Sequence, residues 1–182
     1  VLEVFGGSGW HGAQFQDHCS PDVHHAWDFS PDCVLSIRAS LPAVEASLGD
    51  SYTREFPFTY SWVHADFNNY TPFKWANDKK LRALVDRMFA HSQKYVSIND
   101  SAIFGVSRFE QNRKSYADMF MHPLVTTDWR CYWDGASALY EETYGFGIKH
   151  VVYWHSCCIY LLERGYSGMD QGYECRYYGG TD

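Results

Sequence analysis

Two periods of apolar and polar positions alternate along the chain, and the alternation predicts an architecture. Val1 to Phe5 is a short β-like run that leads into a glycine-rich segment. Similar runs fall at Val34 to Arg38, Val44 to Leu48, Ser61 to Ala65, Lys94 to Ile98 and His150 to His155. The clearest helix starts at the capping residue Asn77 and runs through Asp78 to about Ala90. Its apolar residues Leu81, Leu84, Val85, Met88 and Phe89 recur at three- and four-residue intervals and form one stripe. A second helix is expected from Ala136 to Thr143, ended by Gly145 and Gly147. The runs are spaced for helical crossovers, not hairpins. The pattern therefore predicts an α/β fold, a Rossmann-like doubly wound parallel sheet with helices on both faces. Two stretches depart from it. Residues 13–33 contain Pro21 and Pro31 amid Ser, Asp and His, which leaves room for a short helix from Ala13 to about Cys19. Val106 to Cys131 is long, polar and aperiodic, the signature of a functional loop.

Composition narrows the class. With 182 residues, 46% of them hydrophobic, the chain can bury the core of one globular domain. Lys and Arg number 15 against 22 Asp and Glu, a net charge of −7, and no basic block occurs. A phosphate-tracking nucleic-acid binder is therefore excluded as an expectation. No apolar run approaches the ~18 residues of a membrane span, and no signal-peptide pattern is seen at Val1. The chain reads as soluble and cytoplasmic, without a membrane partner. Six cysteines show no C-x-x-C pair, and Cys157 and Cys158 are adjacent within an apolar stretch, so reduced, mostly buried thiols are expected. His11, His18, Cys19, His24, His25 and Cys33 offer nitrogen and sulfur ligands of the kind that hold zinc. Their spacing matches no finger pattern, and polar loop histidines are the competing reading, so no metal ligand is assigned.

The first run opens into Gly6-Gly7-Ser8-Gly9-Trp10-His11-Gly12. Gly6, Gly9 and Gly12 satisfy G-x-x-G-x-x-G, and Gly7, Gly9 and Gly12 satisfy G-x-G-x-x-G. Glycine here permits a tight turn, close backbone approach to a phosphate and tight packing of helix on strand. A plain strand-to-helix turn would use glycine for the first and last of these reasons alone.

Residues 4–12 resemble the opening of short-chain dehydrogenases/reductases of the extended or atypical type, relatives of the NAD-dependent epimerases and dehydratases. The resemblance recurs in order at Val44 to Asp50, Val63-His64-Ala65, Asn77, Tyr95 to Gly105 and Val151 to Tyr160. It implies NADP, or else NAD, as cofactor. Gly6, Gly7, Ser8, Gly9, Trp10, His11 and Gly12 would hold the pyrophosphate, Asp50 the adenine, and Arg38 the 2′-phosphate, with His64 and Ala65 beside the cofactor. In the implied hydride transfer Tyr132 handles the hydroxyl proton, Asp100 or Ser101 orients the substrate oxygen, and Asn77 supports the loop geometry. The substrate would be a small molecule or sugar nucleotide. Ala136 stands where the family's Lys is expected, and a Tyr without a nearby cation is a poor acid or base at neutral pH. A non-catalytic NAD(P)-binding sensor or structural subunit is thus the alternative, and a His/Cys metal-binding protein a third. Residues 1–160 would form the NAD(P)-binding domain. Residues 161–182 would form a Gly/Tyr-rich tail or the start of a substrate region, and a homodimer through the helix beside Tyr132 is possible on the same resemblance.

Overall fold

A computed structural model describes residues 1–67, 78–100, 130–154 and 157–178. The strands are β1 (Leu2–Val4), β2 (His25–Asp28), β3 (Glu45–Leu48), β4 (Tyr60–Phe67), β5 (Ser92–Asp100), β6 (Phe146–Trp154), β7 (Cys157–Arg164) and β8 (Glu174–Tyr178). The helices are α1 (Trp10–Cys19), α2 (Pro31–Ser40), α3 (Lys79–Ala90) and α4 (Arg130–Tyr144), with one further turn, α5 (Gly168–Gln171). The strands form one sheet in the order β3-β2-β1-β4-β5-β7-β6-β8. β1 to β5 pair in parallel, β7 runs antiparallel to both β5 and β6, and β8 is parallel to β6. The fold is the α/β class that the periodicity predicts, with a mostly parallel sheet between helices.

Two expectations are corrected. Val34 to Arg38 lies inside α2, not in a strand. Ser30 caps this helix by accepting the Cys33 N–H, Pro31 opens it and Asp32 stands in its first turn, where an acidic side chain favours the positive end of the helix. The β-branched residues that suggested a strand, Val34 and Ile37, are instead the buried face of that helix, packed on Ala26, Val44 and Ala46. The second strand is His25–Asp28, hidden in the stretch that looked like a broken helix. The other correction concerns Val151 to Tyr160, which divides between β6 and β7. The two strands pair antiparallel, with Val151 opposite Tyr160.

Alternation along each strand separates two cores. On one face, α1 places Phe15 against Trp62, His64 and His24 at ring-centroid distances of 5.0, 5.5 and 5.8 Å, and α2 covers β2 and β3. On the other, Leu2, Val4, Val63, Ala65, Val96 and Ile98 meet the stripe of α3 and the buried Trp133, Ala136 and Tyr140 of α4. Each buried Leu, Val, Ile, Met or Phe among them stabilises the fold by about 1.5–3 kcal/mol relative to exposure. Much of the aromatic excess belongs here: Trp27, Trp133, Tyr140, Tyr160, Phe89 and Phe146 are fully buried. Residue 160 falls within β7, and β8 extends the same sheet. A Cβ on Gly147 would collide with the Tyr166 backbone, and one on Gly168 with Ser137 Oγ, so the segment between β7 and β8 lies close against β6 and α4. Among the described residues, no helix is long and apolar enough to cross a membrane.

Candidate functional site

The strand order changes direction between β1 and β4: β1 is followed in the chain by β2 on one side, and β3 by β4 on the other. A crevice at the carboxyl ends of the strands opens at such a point. The turn that leaves β1 into it is tight. Phe5 has φ 59° and Gly7 φ 54°, both left-handed, and Gly9 (φ 89°) precedes α1 without a side-chain cap. The Gly6 N–H donates to Trp27 O at 2.8 Å, and the Gly9 N–H to Gly6 O at 3.1 Å. A Cβ at Gly12 would press on Glu3 Oε1 at 2.9 Å and Leu41 Cδ1 at 3.0 Å, so this glycine serves the close seat of α1 on the sheet. Gly7 is different: nothing lies within 4 Å of where its Cβ would be, so its backbone faces open space. Ser8 and Trp10 are exposed beside it.

Asp28, the last residue of β2, closes this turn from the side. One carboxylate oxygen accepts the Gly7 N–H at 2.9 Å and the other the Ser30 N–H at 2.8 Å. Sequence reasoning missed it, because the end of the second strand was placed at Arg38. The signal was present as Asp28-Phe29-Ser30-Pro31-Asp32, a strand end followed by a helix start. Arg38 is on α2, and its guanidinium donates to Ala46 O at 3.0 and 2.8 Å, tying helix to strand. It does not stand at a strand end, so the reason for giving it a 2′-phosphate is gone.

Asp50 is exposed just beyond β3 and accepts the Tyr52 N–H at 2.9 Å. Phe5 joins this corner to β4, with its ring 5.3 Å from both Tyr52 and Phe67. Ala65 is buried and faces α3. His64 points the other way, toward α1, where its ring lies 4.6 Å from that of His11. His11 Nε2 is 3.5 Å from Asp66 Oδ2, and Asn99 Nδ2 donates to Asp66 Oδ1 at 2.7 Å. Burial, with a smaller contribution from His11, pushes the His64 imidazole down to about 3, against partial restoration by Asp66 and Ser97. Burial also opposes ionisation of Asp66. The hydrogen bond and charge of His11, with His64 and Asn99, outweigh it and hold this carboxyl below its ordinary range.

The residues expected to act on substrate are less grouped in what is described. Asp100 ends β5, opposite Phe67 and Cys158, and Tyr132 stands in the first turn of α4. Asn77, Ser101 and residues 106–129 of the expected loop lie outside the described residues. The histidines weighed against a metal site diverge: His24 bonds Glu3 at 2.5 Å, His25 bonds Tyr60 at 2.7 Å, and His11 turns to Asp66. Among the described residues, no three His, Cys, Asp or Glu side chains form a group that could hold a metal ion. Cys19, Cys33 and Cys175 are free thiols, but against expectation Cys19 and Cys175 are exposed and Cys33 is half-buried, each on the outward side of its helix or strand end.

No protein-family model and no curated protein matches the chain. Solved structures do. DhpI in complex with SAM and HEP superposes with a TM-score of 0.58 at 17% identity, covering 90% of this chain and 77% of DhpI. Magnesium protoporphyrin IX methyltransferase from Synechocystis, with bound SAH, gives 0.55 at 9% identity, covering 90% and 73%. The chain is similar to these proteins in fold. It spans 40% of the length of Streptomyces venezuelae DesVI, matched over 53% of this chain at 21% identity with a TM-score of 0.44. DhpI and the Synechocystis methyltransferase correct the dehydrogenase resemblance: they are complexes with S-adenosylmethionine (SAM) and S-adenosylhomocysteine (SAH), not with the NADP or NAD expected. Hydride transfer, the epimerase-like activity and the NAD(P)-binding sensor fall together. The glycine turn misled because phosphate binding is one of several reasons for glycine between a strand and a helix.

Proposed function

We propose that this chain binds S-adenosylmethionine in the crevice at the carboxyl ends of β1 to β4 and methylates a small molecule. The observation that carries the reading is the left-handed Gly7, its N–H held by Asp28 and its outer face open, at the switch point of a sheet shared with SAM- and SAH-bound structures. The residues fit such a group. Asp28 uses one lone pair on each oxygen for the backbone, and a carboxylate offers about four acceptor sites, so acceptors remain for ribose hydroxyls. Asp50 stands for the adenine amino group, and Phe5, Tyr52 and Phe67 supply an apolar wall. Gly6, Gly7, Ser8 and Gly9 let the backbone approach closely, while the first N–H groups of α1, at Trp10, His11 and Gly12, favour a carboxylate.

S-adenosylmethionine supplies an electrophilic methyl group, and the protein's part is to orient the acceptor and hold its proton. His11, whose Nε2 faces Asp66 Oδ2 at 3.5 Å, would take that proton on its other ring nitrogen, Nδ1. Asp100 at the end of β5, Ser101 and Tyr132 after it in sequence, and Asn77 after β4 are candidates for contacting the acceptor. The proposal includes 1–160 as the cofactor-binding unit, 161–182 as a Gly/Tyr-rich tail or the start of a substrate region, a cytoplasmic location and a homodimer.

The test is ligand-dependent stability. SAH at a hundredfold excess over its Kd is expected to stabilise the chain by about 2.7 kcal/mol in urea unfolding, with NADPH and NADH giving no change. Asp28→Asn should weaken SAH binding while leaving the circular dichroism spectrum intact. Absence of SAM and SAH binding by the folded chain would overturn the proposal.

A further inference from the structure

A second opening lies at the other end of the sheet from the glycine turn, where β2, β3 and β4 begin at His25, Glu45 and Tyr60. It is a cavity of about 880 Å³, and its wall includes those three residues with Phe58, Trp62 and Tyr95. The Cys19 end of α1 and Asp22 close it on a further side.

Hydrogen bonds fix one corner of this cavity. His25 Nδ1 lies 2.7 Å from Tyr60 Oη, and its Nε2 lies 3.3 Å from Glu45 Oε2. Burial, opposed by the charge of Arg54 and reinforced by Glu45, pushes the Tyr60 hydroxyl up to about 12, so it keeps its proton and donates to Nδ1. His25 Nε2–H is then directed at the Glu45 carboxylate. The Phe58 ring packs on the same imidazole, with centroids 5.6 Å apart, and stands 6.3 Å from the Tyr60 ring. One buried histidine thus brings an aromatic ring and a carboxylate together. Both stay open to a guest, since Phe58 is 59% exposed and the Glu45 side chain 80%.

The charges around the cavity favour a positive guest. No Lys or Arg lines it, whereas Asp22 and Glu45 do. The Val1 amine, also in the wall, donates to Val23 O at 2.6 Å. The ten-residue α1 ends on the cavity at Cys19 and Ser20 and presents the negative end of its dipole there. Aromatic faces attract cations as well, and Lys94, which is not part of the wall, already places Nζ 4.8 Å from the Tyr95 ring centroid. Phe58 and Trp62 are the faces left for a guest. A primary ammonium is strongly hydrated and seeks an acceptor for each of its N–H groups. A methylated one spreads its charge over methyl groups that pack directly on rings.

We infer that this cavity binds a methylated organic ammonium, its charge held between the Phe58 ring and the Glu45 carboxylate. The site is independent of methyl transfer, because Gly7 and Asp28 lie at the opposite ends of β1 and β2.

Choline, its neutral isostere 3,3-dimethylbutan-1-ol and the unmethylated ethanolamine test the inference by titration into the ¹⁵N-labelled full chain. Choline is expected to bind about tenfold more tightly than either of the others. It should move the amide resonances of Val23, Glu45 and Ser61 and leave those of Gly7 and Gly9 in place. Glu45→Gln and Phe58→Leu, both at exposed positions, should each weaken choline binding about fivefold with the circular dichroism spectrum intact. No binding of choline, an equal affinity for the alcohol or for ethanolamine, resonance shifts at Gly7 and Gly9 in place of Val23 and Ser61, or an unchanged choline affinity in both variants would overturn the inference.

Discussion

His24, His64 and Asp28 show what single residues can hide. In the sequence, histidines near a glycine motif look like ligands or loop residues, because their partners are distant. The structure pairs His24 with Glu3, 21 positions away, and His64 with Ser97, 33 positions away. Gly7 and Gly12 were legible as a motif, whereas Asp28 was not, since its role depends on where a four-residue strand ends. His64 also sets a pH dependence. Its folded-state pKa is depressed to about 3, chiefly by burial, so below its ordinary value of 6.5 the unfolded chain takes up a proton that the folded chain refuses. Stability is therefore full above pH 6.5 and falls as the pH drops toward 3, by at most about 1.4 kcal/mol per pH unit for one proton. Asp66, held low, adds loss in the same direction below its ordinary value of 3.8. Urea unfolding between pH 7 and pH 4 is expected to show this slope, and His64→Phe to flatten it. Equal slopes in both proteins would remove His64 as the source.

Among the elements, α3 and α2 mark the limits of periodicity as a guide. α3 was legible because all five residues of its stripe are buried against the sheet, while Lys79, Lys80, Arg82 and Ala83 face solvent. α2 buries two residues, Val34 and Ile37, in ten, too few to outweigh the β-branched appearance of the segment. Capping is the better signal in both. Asp78, one residue beyond the expected cap Asn77, accepts the Lys80 and Leu81 N–H groups at 2.9 and 3.1 Å. Asp78→Ala is expected to cost about 1 kcal/mol, and Asp78→Ser to recover most of it. Chemical denaturation of the three proteins checks this, and an unchanged midpoint for the alanine variant would show that the cap is dispensable.

For the whole molecule, the parallel half of the sheet was readable and the far half was not. Strands β1, β3, β4 and β5 each arise from a compact apolar run followed by turn residues or a helix. His150 to Arg164 instead reads as one long apolar tract, with no Asn-Gly or Asp-Gly pair to mark a reversal. The tail was equally opaque, since besides the β8–β6 pairing it is held by polar contacts far apart in sequence: Glu141 accepts the Gly168 N–H at 2.8 Å. Removing residues 165–182 would strip β8 from β6 and this bond from α4. The shortened chain is expected to self-associate through the bared β6 edge, seen as larger species by size-exclusion chromatography. A monomer with the full-length unfolding midpoint would contradict it. The reversal of β7 has a consequence for synthesis as well. β5 ends at Asp100, yet the strand that covers its outer edge begins at Cys157. A ribosome delivering the chain from its amino end thus releases a nearly finished parallel sheet whose last strand must wait, unpaired, for the segment that completes it.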